Sequence, residues 1–167
     1  LHGVSISETQ IQLARHFAQQ YQMPQCQFHH CSYLELPQEL SKVHLAYAIE
    51  AFVHSPSPEA FFQSIYTQLL PGGRLVLIDD FISDEADING AQTAQWIADY
   101  RHGWMAQSLR RVGVQIQMAE KQGFQLLQND NLTPYMNIGR PRDQAIGLMK
   151  RFFRKAMLRS TYWRSMA

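Results

Sequence analysis

The chain has 167 residues, a length that fits one domain, residues 1–167, with a sizeable core. Its 15 Lys and Arg residues nearly balance its 14 Asp and Glu residues, and no run of eighteen apolar residues occurs, so we expect no membrane span. The two cysteines, Cys26 and Cys31, indicate reduced thiols in a cytoplasmic protein rather than a disulfide scaffold.

The two ends of the chain differ in charge. The first residues, Leu-His-Gly-Val-Ser, lack the basic start and apolar stretch of a secretory signal, so we expect none. Because the chain starts with Leu1 rather than Met, we expect it to be part of a longer protein. From Arg140 onward, eight basic residues stand against Asp143 alone. Such an end attracts phosphate, membrane surfaces or nucleic acid, or, more commonly, is the solvated face of a helix.

Residues 1–32 are predicted to form a strand, a helix and a second strand. The first strand ends within residues 1–6, Ser7 caps the helix that follows, and Gln10 completes a capping box. Met23-Pro24 closes this helix, and residues 27–32 read as a second short strand. The helix presents one apolar face at helical spacing: Ile11, Ala14, Phe17, Ala18 and Tyr21.

Residues 43–81 are predicted to form a second strand–helix–strand unit. Val43–Ile49 is nearly continuous in apolar residues, as in a strand that is covered on both faces. Ser57-Pro58-Glu59 begins a helix, Pro71-Gly72-Gly73 ends it, and residues 75–78 form the next buried strand. A crossover of this length indicates a parallel pair. Two such units predict a doubly wound, mostly parallel α/β sheet whose ligands lie beyond the carboxyl ends of the strands.

The second half of the chain has a less regular pattern. Residues 82–112 are predicted to be a helical, substrate-covering insertion that contains an acidic loop at 83–90 and a mostly helical part at 91–112 with a break at Gly103. The other predicted elements are a short helix at 115–122 with Gly123 as its C-cap, a strand at 124–127, and a basic amphipathic helix within 140–162.

Three segments together resemble one enzyme family. They read G-V-S-I-S-E-T-Q at residues 3–10, A-I-E-A-F-V-H at 48–54 and L-P-G-G-R-L-V-L-I-D-D-F at 70–81. In this order and spacing they resemble class I S-adenosylmethionine-dependent methyltransferases of the branch that acts on sugars, sterols, tocopherols and terpenoids. The resemblance implies a Rossmann-like fold and methyl transfer from S-adenosylmethionine to a small natural-product, lipid-like or glycosylated acceptor.

The chain departs from the family pattern at both ends. The family's first strand and Gly-rich loop normally lie upstream of Leu1, and its last strand is expected beyond Ala167. We therefore expect a methyltransferase fold that is truncated at both ends. This departure leaves open a second interpretation, a methyltransferase-like binding module without turnover.

The resemblance assigns cofactor contacts to three strand ends. At the first, Ser5, Ile6 and Gln10 stand where the family often has an acid for the ribose hydroxyls, and simple helix capping by Ser7 and Gln10 is the alternative. The remaining expected contacts are Ser32 and Tyr33 near the adenine, with a core-packing Tyr33 as the alternative, and Ala48 and Ile49 at the next strand end.

The same resemblance assigns catalysis to Glu50, His54 and Asp80. With a hydroxyl acceptor, His54 acts as general base and Asp80 is its partner. With an alkene acceptor, Glu50 or an aromatic ring stabilises a carbocation instead. Alternatively, His54 is a structural residue bonded to backbone. Cyclopropane synthases have a Glu at the position of Val53, so that reaction is not expected.

The remaining expectations concern the acceptor and other ligands. We expect no metal, because Cys26 and Cys31 with the two histidines between them match no zinc spacing. Nucleic acid is not expected as a partner, because the motif of base methyltransferases is replaced by A-I-E-A at residues 48–51. The sequence leaves open whether the protein is a homodimer.

Five side chains of the insertion either line an apolar acceptor pocket or pack a covering helix: Trp96, Tyr100, His102, Trp104 and Met105.

Overall fold

The computed structural model describes residues 1–136. The predicted basic helix at 140–162 lies outside the described residues. None of the helices in residues 1–136 has both the length and the hydrophobicity needed to cross a membrane. The elements are β1 (His2–Ser5), α1 (Glu8–Gln20), β2 (Gln27–His30), β3 (Val43–Ile49), a 3-10 turn (Phe52–His54), α2 (Pro58–Gln68), β4 (Leu69–Ile78), α3 (Ala91–Trp104), α4 (Val112–Lys121) and a second 3-10 turn (Thr133–Tyr135).

The four described strands form two parallel pairs, β1 with β2 and β3 with β4. The predicted α/β character and the parallel direction of both units are therefore confirmed. Parallel pairing follows from the sequence, because in each unit a helix separates the strands and returns the chain to the same end of the sheet. The carboxyl ends of the paired strands consequently lie side by side.

The capping predictions for α1 are confirmed in part. Ser7 caps the helix, since its hydroxyl accepts the N–H of Gln10 at 3.4 Å. The capping box is wrong, because the Gln10 side chain does not return to the Ser7 N–H. That N–H donates to Ser5 Oγ at 3.1 Å, and the Ser5 hydroxyl donates to Gln10 Oε1 at 2.7 Å. Ser5 thus takes the place that the capping box gives to Gln10.

Among residues 1–136, the β3–β4 pair is covered on one face only. Ala48 of β3 packs against an aromatic cluster under α2. On the other face Leu45, Tyr47 and Ile49 are 53%, 59% and 56% exposed, so the prediction of burial on both faces is wrong for the described residues. In residues 1–136 the helix packed on this pair is α2, which can cover only one side of the sheet.

The start of β4 also differs from the prediction. The helix does end before Pro71-Gly72-Gly73, but the strand already begins at Leu69 rather than at residue 75. Val43 pairs with Leu69 and Leu45 pairs with Arg74, so the register slips between these pairs. Gly72 lies in the slip at φ +75°, a conformation that residues with a Cβ rarely adopt.

The main core lies between α2, α4 and the β3–β4 pair. Phe52, Phe61 and Phe62 are at most 2% exposed, and the rings of Phe52 and Phe61 lie 4.8 Å apart between centroids. Burying a side chain of this size contributes about 2–3 kcal/mol, so this cluster is the main source of stability. It also contacts Phe124, which follows α4.

Three boundaries in the second half differ from the prediction. Helix α3 continues through Gly103 and ends at Trp104, because Met105 turns left-handed at φ 53° and its N–H bonds back to the Arg101 carbonyl. Helix α4 begins at Val112, and Gly123 follows it at φ +97°, as expected of a residue that ends a helix. The predicted strand at 124–127 is wrong: none of the described strands lies alongside it to accept its backbone hydrogen bonds.

Candidate functional site

One hydrogen bond joins the carboxyl ends of the two sheets. Tyr33, which follows β2, donates its hydroxyl to the Ala51 carbonyl after β3 at 3.3 Å. The Tyr33 ring meets Phe61 edge-on at 5.3 Å. Burial, followed by the nearby Asp79 charge, raises the pKa of Tyr33 above its ordinary value, although a hydrogen bond with Ser55 opposes this. This geometry agrees with the core-packing interpretation of Tyr33, and its adenine contact stays a prediction.

The first strand end brings two predicted cofactor residues together. Ser5 and Gln10 are directly hydrogen-bonded at 2.7 Å on the surface. Ile6 between them is 75% exposed, and its carbonyl contacts His30 Nε2 at 3.0 Å. A hydroxyl and an amide beside an exposed apolar side chain fit the ribose and the neighbouring face of a nucleoside. This strand end therefore fits the nucleoside half of S-adenosylmethionine.

The other three predicted cofactor residues are Ser32, Ala48 and Ile49. Ser32 Oγ accepts the Leu34 N–H at 3.1 Å and so stabilises the local turn. Ala48 packs into the aromatic core, whereas its neighbour Ile49 is exposed at the end of β3. Of these side chains Ile49 is thus the one with most free surface at the strand end.

The turn after β3 begins with a strained residue. Glu50 has φ 48°, which costs on the order of 1 kcal/mol for a residue with a Cβ. Its N–H still bonds to the Ile78 carbonyl of β4 at 2.9 Å, so the left-handed bend comes directly after the last ladder bond. The bend turns the chain out of the sheet and into the 3-10 turn that carries His54.

The predicted catalytic residues are only partly brought together. Asp80 accepts a hydrogen bond from the Tyr100 hydroxyl on α3. Burial, the hydrogen bond to Asp80 and the charges of Asp80, Asp79 and Glu50 all raise the pKa of Tyr100 well above its usual range. Glu50, Asp80 and Tyr100 therefore share one electrostatic environment.

His54 does not join that group. It is exposed, and within residues 1–136 its ring makes no hydrogen bond, either with Asp80 or with backbone. The partner that sequence reasoning missed is Tyr100, which was expected only as a pocket residue. The sequence holds a weak signal for it, because Tyr100 and Trp104 stand four residues apart on one helix and share a face.

The insertion places aromatic side chains beside this group. The rings of Tyr100 and Trp104 lie 6.3 Å apart, and Trp104 is 46% exposed. The base of the insertion is closed by a parallel bridge between Ile82 and Arg111. Arg111 also donates to the carbonyls of the acidic loop, those of Ser83, Asp84 and Ala86.

The structure agrees with the expected free thiols, and the cytoplasmic location stays a prediction. Cys26 and Cys31 are free thiols, and burial raises the pKa of Cys31. In the part of the chain that the structure describes, no three His, Cys, Asp or Glu side chains are grouped to hold a metal ion.

Comparisons with known proteins agree on one fold. The sequence model of a family described as a methyltransferase domain matches residues 1–140. The sterol 24-C-methyltransferase of Schizosaccharomyces pombe is 28% identical over 138 residues, which are 82% of this chain and 36% of that protein. The sterol 24-C-methyltransferase of Saccharomyces cerevisiae is 25% identical over 131 residues, 78% of this chain and 34% of that protein.

A solved structure extends the comparison. A Galdieria sulphuraria protein, provisionally described as a sarcosine dimethylglycine methyltransferase, has a TM-score of 0.73 at 17% identity, and the match covers 99% of this chain and 61% of that one. The present chain spans about a third of the length of the curated relatives it matches.

Proposed function

This chain belongs to the methyltransferase domain family, and from that premise we propose that it transfers a methyl group from S-adenosylmethionine to an unsaturated carbon of a small, lipid-like acceptor. The likeness to two yeast sterol 24-C-methyltransferases supports such an acceptor. The observation that carries the proposal is the hydrogen bond between Asp80 and Tyr100 beside the Trp104 ring, and the Glu50 charge is among those that raise the pKa of Tyr100.

That group suits an acceptor on which positive charge develops. Two carboxylates and an electron-rich ring attract a cation, and this attraction grows where the site excludes water. For a hydroxyl acceptor the sequence predicts a His54–Asp80 pair, and within residues 1–136 these two side chains are not hydrogen-bonded to each other. The carbon acceptor is therefore preferred to the hydroxyl acceptor.

Methyl transfer to carbon sets two tasks for the protein. S-adenosylmethionine supplies a methyl group on a cationic sulfur. The π electrons of the acceptor form the new carbon–carbon bond, and the electron pair of the broken carbon–sulfur bond stays on sulfur, so positive charge moves to the acceptor. The first task is to hold the acceptor in line with the methyl group, and the second is to stabilise this charge.

Glu50 is assigned to the last step, removal of a proton that restores a double bond in the acceptor. Asp80 already accepts the Tyr100 hydroxyl, which leaves it as a fixed charge. Within residues 1–136 the Glu50 carboxylate makes no hydrogen bond, so it is the more available base of the two. Ser5 and Gln10 are assigned to the nucleoside half of the cofactor, for which their hydroxyl and amide are suited.

The proposal is tested by label transfer from methyl-labelled S-adenosylmethionine, with the full-length protein. The acceptors are a sterol with an unsaturated side chain and the same sterol with that side chain saturated. We expect label in the first and none in the second. Label in both would place the methyl group on the sterol hydroxyl and contradict carbon methylation, and label in neither would contradict a sterol-like acceptor.

The assigned base has a matched control in the same chain. Glu50→Gln should lower kcat by a factor of about 100 or more, in the range for a lost general base. Glu59→Gln, at an exposed site in the first turn of α2, should leave kcat unchanged. His54→Ala should reduce kcat far less than Glu50→Gln; the reverse order would restore His54 as the base.

We further propose that the protein acts in the cytoplasm without a nucleic-acid partner. The two free thiols support the location, and the A-I-E-A sequence at residues 48–51, where β3 ends, supports the absence of a nucleic-acid partner. Cell fractionation tests the location and filter binding at low salt tests for nucleic acid. Sedimentation decides between a monomer and a homodimer.

A further inference from the structure

Asp79, which follows β4, accepts hydrogen bonds from backbone N–H groups of the turn after β3. Asp79 Oδ2 accepts the N–H groups of Ala51 at 3.0 Å and of Val53 at 3.1 Å. The other carboxylate oxygen accepts the N–H of Asp80 at 2.9 Å. Both oxygens of Asp79 are engaged with backbone, so this carboxylate fixes the chain rather than facing an acceptor.

Ser108 of the insertion donates hydrogen bonds to backbone carbonyls of the same turn. Ser108 has no exposed surface, and its N–H donates to the Val53 carbonyl at 2.9 Å. Its hydroxyl donates to the Ser55 carbonyl at 2.5 Å. These two carbonyls flank His54 in sequence. The carbonyl of Ser108 in turn accepts from Gln115 Nε2 of α4 at 2.6 Å, which ties the contact to a helix.

These hydrogen bonds can stabilise an otherwise unfavourable backbone conformation in the turn. The left-handed backbone at Glu50 is unfavourable and persists only where the surroundings determine it. Asp79 holds the residue directly after Glu50, and Ser108 holds both neighbours of His54.

We propose that Asp79 and Ser108 are positioning residues that fix the directions of Glu50 and His54 by holding the turn from its two sides. The proposal rests on the proposed function, because it assigns this turn to the acceptor side of that site. We assign neither residue a contact with the acceptor or with the cofactor. Their effect on methyl transfer therefore passes through the turn.

The test uses Asp79→Asn and Ser108→Ala in the full-length protein. Asp79→Asn keeps the shape of the side chain but loses the charge and one acceptor oxygen, and Ser108→Ala removes only the hydroxyl. The matched control is Asp84→Asn, because the Asp84 carboxylate also accepts a backbone N–H, that of Gly113 at 3.0 Å, but away from the turn.

Two measurements are needed for each variant. The first is amide hydrogen exchange resolved by residue, for which we expect exchange in the turn to accelerate about ten-fold, while exchange in α2 and β4 changes by less than two-fold. The second is kinetics with a separate cofactor titration. We expect kcat to fall about ten-fold or more in Asp79→Asn and by a smaller factor in Ser108→Ala, which keeps its N–H bond to Val53, with cofactor affinity within two-fold in both variants and no change of kcat in Asp84→Asn.

Uniformly faster exchange throughout the molecule would make the two residues general stabilisers and overturn the proposal. Faster exchange in the turn with an unchanged kcat would overturn it as well. If the unaltered protein transfers no methyl group, the proposed function fails, and the exchange pattern still decides whether the two residues hold the turn. Should Ser108→Ala not fold, Asp79→Asn alone carries the test, since it leaves the packing intact.

Discussion

The two strand–helix–strand units have the same connectivity and very different burial. In the first unit, residues 1–32, Ile11 is the only buried side chain, and the contact between Ser5 and Gln10 lies at the surface. In the second, residues 43–81, Phe61 and Phe62 are 2% exposed and the turn after β3 is held through Asp79. Among the described residues, the largest buried cluster and the proposed catalytic residues Glu50 and Asp80 thus lie in the same unit.

This difference in burial indicates that the two units have different tasks. Side chains that must be held within a fraction of an ångström of a reacting centre gain from a rigid, packed support. Side chains that contact a large, flexible cofactor by hydrogen bonds need less. Substitutions in the second unit should therefore change stability and turnover together, whereas substitutions in the first should change cofactor affinity with little effect on stability.

The largest contrast is expected from matched Phe-to-Ala substitutions. Phe61→Ala should reduce the free energy of unfolding by about 3–5 kcal/mol, because it leaves a cavity in the aromatic core. Phe17→Ala on α1, where the side chain is 45% exposed, should cost less than about 1 kcal/mol. Urea titration measures both. Equal losses would mean that the first unit contributes as much packing as the second and would remove the contrast.

A second contrast uses two residues with the same backbone strain. Gln22 in the first unit and Glu50 in the second have φ 53° and 48°. Glycine at either position relieves the strain, so both variants should gain up to about 1 kcal/mol of stability. Methyl transfer should be unaffected by Gln22→Gly and almost lost in Glu50→Gly. Loss of stability in Glu50→Gly would show that the carboxylate itself stabilises the turn.

Local rules account for what the sequence predicted correctly. Ser57 was expected to cap α2, and its hydroxyl does accept the Ala60 N–H at 3.2 Å, because a cap needs only residues three apart. The parallel pairing of β3 with β4 likewise follows from one helix between two apolar segments. Ser5 and Gln10 were assigned to one strand end and are hydrogen-bonded there.

The parts that sequence reasoning missed depend on contacts between distant residues. Ser108 bonds to Ser55, 53 positions away, and nothing around Ser108 in the sequence marks it as buried. Nothing in the sequence separates Asp79 from its neighbour Asp80, yet Asp79 is the one that holds the turn. The strand expected at 124–127 failed for the same reason, since strands depend on a partner that local propensity does not supply.

A change of intermediate size in the free energy of unfolding is expected at alkaline pH when Tyr100→Phe is compared with the unaltered protein. The pKa of Tyr100 is raised in the folded protein above the value of about 10 for an unfolded chain, so folding favours the neutral phenol. Its contribution to stability is complete below pH 10 and is lost as the pH rises toward the folded value. Between pH 8 and pH 11 the unaltered protein should lose more stability than Tyr100→Phe, as thermal unfolding would measure. Equal losses would mean that Tyr100 ionises freely.

The smallest effect on stability is expected from Ser5→Ala and Gln10→Ala, and it tests the first unit most directly. Their hydrogen bond is exposed, so each change should alter the free energy of unfolding by less than about 1 kcal/mol. If the pair binds the ribose, each variant should still weaken S-adenosylmethionine binding several-fold in calorimetry, and the double variant should lose less than the sum of the two, because either change alone disrupts the pair. Gln12→Ala on the same helix, where the side chain bonds to Glu8, is the control that should leave affinity unchanged. Unchanged affinity in all three would limit Ser5 and Gln10 to shaping the start of α1.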